Sequence, residues 1–268
     1  DFEKAVPLID SKTAAFGRIQ SVYDQLAQAY LGIYLKQPSK RHQMDKLIRE
    51  NLGKAIKSTA HIPTSCAELE MNLALFEKKY DKAAQLCRKM LKMNYARPIK
   101  TRLIYNIALL EYLQGNKDKC VQNLKEVVTR VLGGSSSTQG ENYMAQMSLW
   151  FLDTIGGEPY TAEKARNIYS MVKEADHSYR QEYGFISGYL KSKEEKNYGE
   201  AAEYLEKYTQ KRHLEPVGDF AQDLLQVPAQ KSLIYTSLAD LYNKTGKRDK
   251  AEKLRKEVRI SDFNMKSL

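Results

Sequence analysis

The feature that most constrains this chain is a recurring pair of short amphipathic helical runs joined by a tight turn. Its clearest instance is residues 231–262, KSLIYTSLADLYNKTGKRDKAEKLRKEVRISD. Tyr235, Leu238 and Tyr242 recur at spacings of three and four, which places them on one face of a helix. Gly246 breaks the run, and Ala251, Leu254 and Val258 resume it. Ala239 and Ala251 are small where two helices would approach closely. One such pair cannot bury its apolar face alone, whereas several stacked pairs share a continuous core.

The same pattern runs through the rest of the chain. Phe16, Ile19, Tyr23, Leu26, Tyr30 and Ile33 form a stripe that Pro38 ends, with Ser11 or Thr13 as its cap. Met44, Leu47, Ile48, Leu52, Ala55 and Ile56 answer it. After His61-Ile62-Pro63, the residues Leu69, Leu73 and Phe76 lead through a turn at 78–81 to Ala83, Ala84, Leu86, Cys87, Met90 and Leu91. Ile104, Ile107, Ala108 and Tyr112 lead through Gly115 to Cys120, Leu124 and Val127. Tyr143, Met147, Trp150, Phe151 and Ile155 lead through residues 156–159 to Ala162, Ala165, Ile168, Tyr169 and Val172. Tyr183, Phe185, Ile186, Tyr189 and Leu190 lead through Asn197-Tyr198-Gly199 to Ala201, Ala202, Tyr204, Leu205 and Tyr208. Two stretches interrupt the period. Residues 133–140, GGSSSTQG, read as a flexible loop, and residues 214–229, with Pro216, Gly218 and Pro228, read as an insertion or a short extra helix. Only seven prolines and fourteen glycines occur in 268 residues, and helix formers are plentiful. The expected class is all-α.

The residues Tyr235, Leu238, Ala239, Tyr242, Gly246 and Ala251, with KKYDKAAQLCRKMLKMN and NYGEAAEYLEKY earlier in the chain, resemble tetratricopeptide repeats (TPR). The small residues Ala83, Cys120, Ala165, Ala201 and Ala251 are separated by 37, 45, 36 and 50 positions, against about 34 in a regular array. The longer intervals contain the two interruptions. The resemblance implies a single domain over 1–262 with a tail at 263–268: a right-handed TPR-like superhelix of five to six helix pairs. Residues 11–58 would be a degenerate or capping pair, and 64–262 the repeats. It further implies a protein or peptide partner in a concave groove lined by the first helices. Carried over residue by residue, Arg102, Tyr105 and Tyr112 would face that groove, as would Thr236, Asp240 and Asn243. Trp150 is either a groove anchor or a core residue, and the tyrosines carry the same two readings. The lysine, asparagine and arginine set by which some TPR cochaperones hold a C-terminal carboxylate is not matched by Asn72, Asn106 and Arg102.

Reactive constellations are not legible. His42, His61, His177 and His213 are scattered, with no H-E-x-x-H, G-x-S-x-G or Cys/His arrangement. The glycine-rich stretch is followed by Glu141 and Asn142, where a phosphate-binding loop needs lysine and a hydroxyl residue. The expectation is a non-enzymatic binding module with no cofactor and no metal. The net charge of +10 raises an RNA-binding helical repeat as an alternative, but the 43 basic residues are interleaved with 33 acidic ones, without a run of five like charges. Cys66, Cys87 and Cys120 show no C-x-x-C, and a Cys66–Cys87 bridge would need their helices to pack together. No apolar run is long enough to cross a membrane. The start at Asp1 suits a processed chain or a portion of a longer one. The overall look is similar to the extracytoplasmic TPR portions of bacterial sensor kinases and to secreted TPR proteins, which implies a periplasmic sensing role with a membrane-anchored continuation beyond Leu268. A cytoplasmic scaffold or cochaperone-like adaptor is the other expectation.

Overall fold

The computed structural model describes residues 3–9, 20–57, 64–134, 137–155, 163, 164, 167, 177–211 and 221–260. Every regular element among them is helical: α1 (Gln20–Lys36), α2 (Arg41–Lys57), α3 (Thr64–Phe76), α4 (Tyr80–Leu91), α5 (Arg97–Leu113), α6 (Lys117–Leu132), α7 (Gln139–Ile155), α8 (His177–Glu194), α9 (Tyr198–Lys211), α10 (Ala221–Lys244) and α11 (Arg248–Ile260), with a 3-10 turn at Pro38–Lys40. Residues 3–9 are helical too. The chain is all-α over its described residues, and no helix among them is long and apolar enough to cross a membrane. Several expectations lie outside the described residues: the Ser11 or Thr13 cap, Phe16, Ile19, the 61–63 break, the 156–159 turn with Ala165 and its helix, residues 214–220, and the tail.

The fold comprises two compact units, Asp1–Leu86 with Gly218–Leu224, and Cys87–Val217 with Leu225–Leu268. In the first, α1 packs against α2 and α3. Tyr23, Leu26, Tyr30 and Ile33 of α1 meet Met44, Ile48, Leu52 and Ala55 of α2, with Leu69 and Leu73 of α3 joining the same cluster. These are the stripes the sequence marks. Pro38 ends the first helix where the Gln37 N–H still donates to the Ile33 carbonyl, at 2.8 Å. Exposed pairs such as Lys54 with Glu50 at 2.7 Å lie on the solvent face.

The second unit is built of two kinds of helix. α6, α9 and α11 are amphipathic: α6 buries Cys120, Leu124, Val127, Val128 and Val131, a single stripe, and leaves the rest half-buried or exposed. α5 and α7 have no solvent face over most of their length. Residues 103–111 of α5 and 141–152 of α7 are buried without exception. α10 is similar, with residues 229–242 buried apart from Lys231, Tyr235, Thr236 and Asp240, which are half-buried. α5 packs on α6, α6 on α7, α7 on α8 and α8 on α9, and α5 also meets α7.

Four hairpins share one turn geometry. Each first helix ends with one residue in the left-handed conformation: Lys78 (φ 56°), Gly115 (φ 78°), Lys196 (φ 60°) and Gly246 (φ 77°). The next residue's N–H then reaches back to the last turn. Lys79 donates to Ala74 at 2.7 Å, Asn116 to Glu111 at 2.9 Å, Asn197 to Ser192 at 2.8 Å and Lys247 to Tyr242 at 2.7 Å. This is the Schellman cap, which satisfies carbonyls the helix end would leave open. In each hairpin the same residue's carbonyl accepts from Ala83, Cys120, Ala201 or Ala251, at 3.1, 3.0, 3.0 and 3.2 Å. Those small side chains are fully buried at 0 % exposure in all four places. Cys87 and Cys120 are both buried; the Cys66 side chain of the expected Cys66–Cys87 bridge lies outside the described ones.

Two local readings are corrected. Glycine at 199 marks a turn in the sequence, but the turn is at 195–197 and Gly199 lies inside α9. Lys196 takes the left-handed position instead, because the cap bonds fix the register. Residues 221–229 are not a separate element: α10 runs unbroken from Ala221 through Pro228. A proline there forgoes one backbone bond, and the surrounding helix tolerates the loss.

Candidate functional site

Two of the residues expected to line a groove, Tyr112 and Trp150, bond to α10, the helix that carries Thr236, Asp240 and Asn243. The Tyr112 hydroxyl and Ser232 Oγ are hydrogen bonded at 2.9 Å, and the Tyr112 ring meets Phe151 edge-on, with centroids 5.3 Å apart. The Trp150 indole N–H donates to Ser237 Oγ at 3.0 Å. Thr154 Oγ1 lies 3.2 Å from the same hydroxyl. Gln230 donates to the Tyr143 hydroxyl at 3.2 Å, which in turn lies 3.3 Å from the Tyr208 hydroxyl. Tyr143 with Gln230, and Trp150 with Ser237, advance by the same seven residues on both helices. α7 and α10 therefore run parallel and in register over two turns.

α8 joins the same centre. Gln146 donates to Ser187 Oγ at 2.8 Å, and the rings of Tyr189 and Tyr208 lie 5.1 and 5.9 Å from Trp150. In a regular repeat array each unit touches only its neighbours. Here Tyr112 bonds across 120 positions of sequence to Ser232. These bonds set α10 against α5 and α7 and help to explain why neither has a solvent face. Burial raises the pKa of the Tyr112 hydroxyl, partly offset by the Ser232 bond, and burial likewise raises that of Tyr189.

The seven predicted contact residues accordingly divide. Tyr105 and Trp150 are fully buried at 0 % exposure, so neither presents a side chain to a partner in this conformation. For Trp150 this is the core reading. Tyr112 is committed to Ser232 and Phe151. Arg102 and Thr236 are half-buried. Asp240 and Asn243 retain surface, and Asp240 pairs with Lys244 at 3.0 Å. Lys244 also stands over the Tyr198 ring, 4.7 Å from its centroid. At the same end, Tyr242 donates to Glu206 at 2.6 Å; burial, with that carboxylate beside it, raises the pKa of the hydroxyl.

Two buried carboxylates escaped the sequence reading. Glu141 accepts from Arg97 Nε at 3.2 Å, from Thr101 Oγ1 at 3.1 Å, and from both the N–H and the hydroxyl of Thr138, at 3.0 and 3.1 Å. The Glu141 N–H returns a bond to Thr138 Oγ1 at 3.2 Å. This is a capping box at the start of α7, and T-x-x-E was there to be read. Burial pushes the Glu141 carboxyl up, but the Thr138 and Thr101 bonds and the Arg97 charge outweigh it and hold the pKa below the usual value. Glu111 is also buried, paired with Arg88 and accepting from Asn116 at 2.7 Å. Both carboxylates are tied into helix ends and turns, a structural role. Among the described residues no group of three or more His, Cys, Asp or Glu side chains is placed to hold a metal ion.

No protein-family model matches the chain, and no curated protein aligns with it. Among solved structures, the crystal structure of BtubC (BKLC) from P. vanneervenii aligns over 90% of this chain and 93% of that one, at 13% identity and a TM-score of 0.45.

Proposed function

We propose that the chain is a non-enzymatic binding module of the tetratricopeptide type, whose helix pairs stack as a right-handed superhelix and whose partner is a protein or peptide. The observation that carries the reading is the repeated hairpin: four turns with one bonding pattern, each delivering a small, fully buried residue one turn into the second helix. Architectures of stacked hairpins present extended surfaces and serve in recognition. Because Tyr105, Tyr112 and Trp150 are engaged inside the second unit, they act here as the support of the recognition surface. Its contacts fall to Arg102, Asp240 and Asn243.

The test is a pull-down from the source cell, comparing wild type with an Arg102→Ala/Asp240→Ala/Asn243→Ala variant of unchanged helicity. Recovery of a specific partner should fall about tenfold for the loss of a few contacts. Equal recovery removes the site assignment, and a partner that proves to be RNA removes the reading. As to place, we favour the extracytoplasmic sensing portion of a bacterial signalling protein over a cytoplasmic adaptor. The full reading frame decides between them: a signal sequence upstream with a membrane segment downstream supports the first.

A further inference from the structure

We infer that the connection from α4 to α5 is a docking surface for an acidic segment of a partner protein. Residues 87–110 carry Arg88, Lys89, Lys92, Arg97, Lys100 and Arg102 and no acidic residue. Six positive charges stand there in a chain whose net charge is +10. The interleaving of charges that holds over most of the chain fails in this stretch. Two of the six are neutralised from within, Arg88 by Glu111 and Arg97 by Glu141. Lys89 and Lys92 are exposed and Lys100 half-exposed, and no ion pair with another described residue holds any of them. Other parts of the same unit set carboxylates beside their basic residues, as in Glu126–Arg130 and Asp240–Lys244.

The three lysines lie around one corner, because only residues 92–96 separate α4 from α5. The corner is also the start of α5, which has Ala96 at its cap without a side-chain bond and no acidic residue in its first turn. The helix end therefore adds to the positive field that the lysines create. Nothing in the connection itself offsets this field, and an acidic partner segment would.

The surroundings favour a polypeptide over the other anionic partners. Surfaces for single-stranded nucleic acid offer exposed aromatic rings for stacking. The one aromatic residue of the connection, Tyr95, is half-buried and its hydroxyl is bonded to Met93 Sδ at 2.9 Å. Membrane docking needs large apolar side chains beside the basic ones. Among the described residues the exposed large apolar side chain is Leu8, in the first unit. An acidic peptide requires only spaced cations, and these are present.

The proposal rests on the reading of the chain as a binding module, and its test separates the two. Fluorescence anisotropy would follow a labelled oligoglutamate peptide, an oligouridine strand and phosphatidylserine vesicles, each against wild-type protein. The same three probes would be run with Lys89→Glu/Lys92→Glu/Lys100→Glu and with Lys119→Glu/Lys253→Glu/Lys256→Glu, which changes net charge equally. The peptide should bind wild type best, weaken about tenfold with the first variant and stay within about twofold with the second. Circular dichroism of both variants should match wild type. Equal weakening by both variants would show non-specific attraction and overturn the proposal. Absence of peptide binding overturns it as well, while a partner recovered in the pull-down still sustains the binding reading. Tighter binding of the vesicles overturns the proposal alone; tighter binding of RNA overturns both.

Discussion

α6 and α7 are adjacent in sequence and in space, and they are opposites. α6 shows one apolar stripe over sixteen residues, and that stripe is its buried face. α7 is buried from 141 to 152 on every side, including Glu141, Asn142, Gln146 and Ser148. The difference teaches how burial is arranged in the second unit. Outer helices need only an apolar stripe, whereas inner helices must satisfy polar groups inside the protein, which costs free energy unless each finds a partner. α7 meets most of this requirement by bonding Trp150 to Ser237, Tyr143 to Gln230 and Tyr208, and the Gln146 amide N–H to Ser187, while Gln146 Oε1 stays buried without a partner among the described residues.

Perturbing the two kinds of helix should sharpen the contrast. Trp150→Ala removes the largest fully buried side chain, a ring contact to Tyr189 and the bond to Ser237; it should cost about 3–5 kcal/mol. Leu124→Ala, the matching change on α6, should cost about 2–4 kcal/mol. Urea unfolding monitored by circular dichroism measures both, and a larger loss at Leu124 would break the ranking of the layers. Ser237→Ala would add little to Trp150→Ala but be costly alone, the non-additivity expected of a bonded pair.

Close approach between helices gives the next effect. A Cβ at Gly188 would stand 2.5 Å from the Tyr204 ring, so Gly188→Ala should cost about 1–3 kcal/mol through overpacking of α8 on α9. An unchanged melting temperature would show that the ring moves aside freely.

The buried capping box yields a pH signature. Glu141→Gln should cost about 1–2 kcal/mol at neutral pH. The Glu141 pKa is lowered in the folded state, so its contribution is complete above the unfolded carboxyl value and fades as pH falls through the folded one. The gap between wild type and variant should therefore close in acid. A gap of constant size from neutral to acidic pH would assign the loss to packing rather than to charge.

The smallest effects compare the turns. Gly246 has φ 77°, and Gly246→Ala should cost about 1 kcal/mol. Lys196 stands in the equivalent position at φ 60°, so Lys196→Gly should stabilise by about 0.5 kcal/mol. Gly199, which meets nothing within 4 Å of an added Cβ, should gain a similar amount, about 0.5 kcal/mol, on change to alanine. Thermal melts of the three variants should show one loss and two gains.

These contrasts explain what was legible in the sequence. The hairpins were, because a second helix with one wet face writes its period plainly: Ala83, Cys120, Ala201 and Ala251 are buried where the spacing put them. The faces of the first helices were not. When every side of α5 and α7 is covered, periodicity cannot tell a core Tyr105 or Trp150 from a groove residue. Positive φ at Lys78 and Lys196 was hidden because glycine is the usual signal and the cap bonds override it. Pro228 suggested a break, yet α10 runs through it. The acid-free stretch from 87 to 110 could have been read directly, but a whole-chain balance of charges averages it away.

The two buried thiols have a practical consequence. Burial pushes the pKa of both Cys87 and Cys120 up to about 12. At neutral pH both therefore stay in the unreactive thiol form, and the folded protein also shields both sulfurs from reagent. Alkylation at either position would have to wait for the hairpin around it to open. Cys87 sits late in α4 and Cys120 in the first turn of α6, so the chain carries two built-in clocks for local opening, readable by mass spectrometry of the alkylated protein without introducing a cysteine.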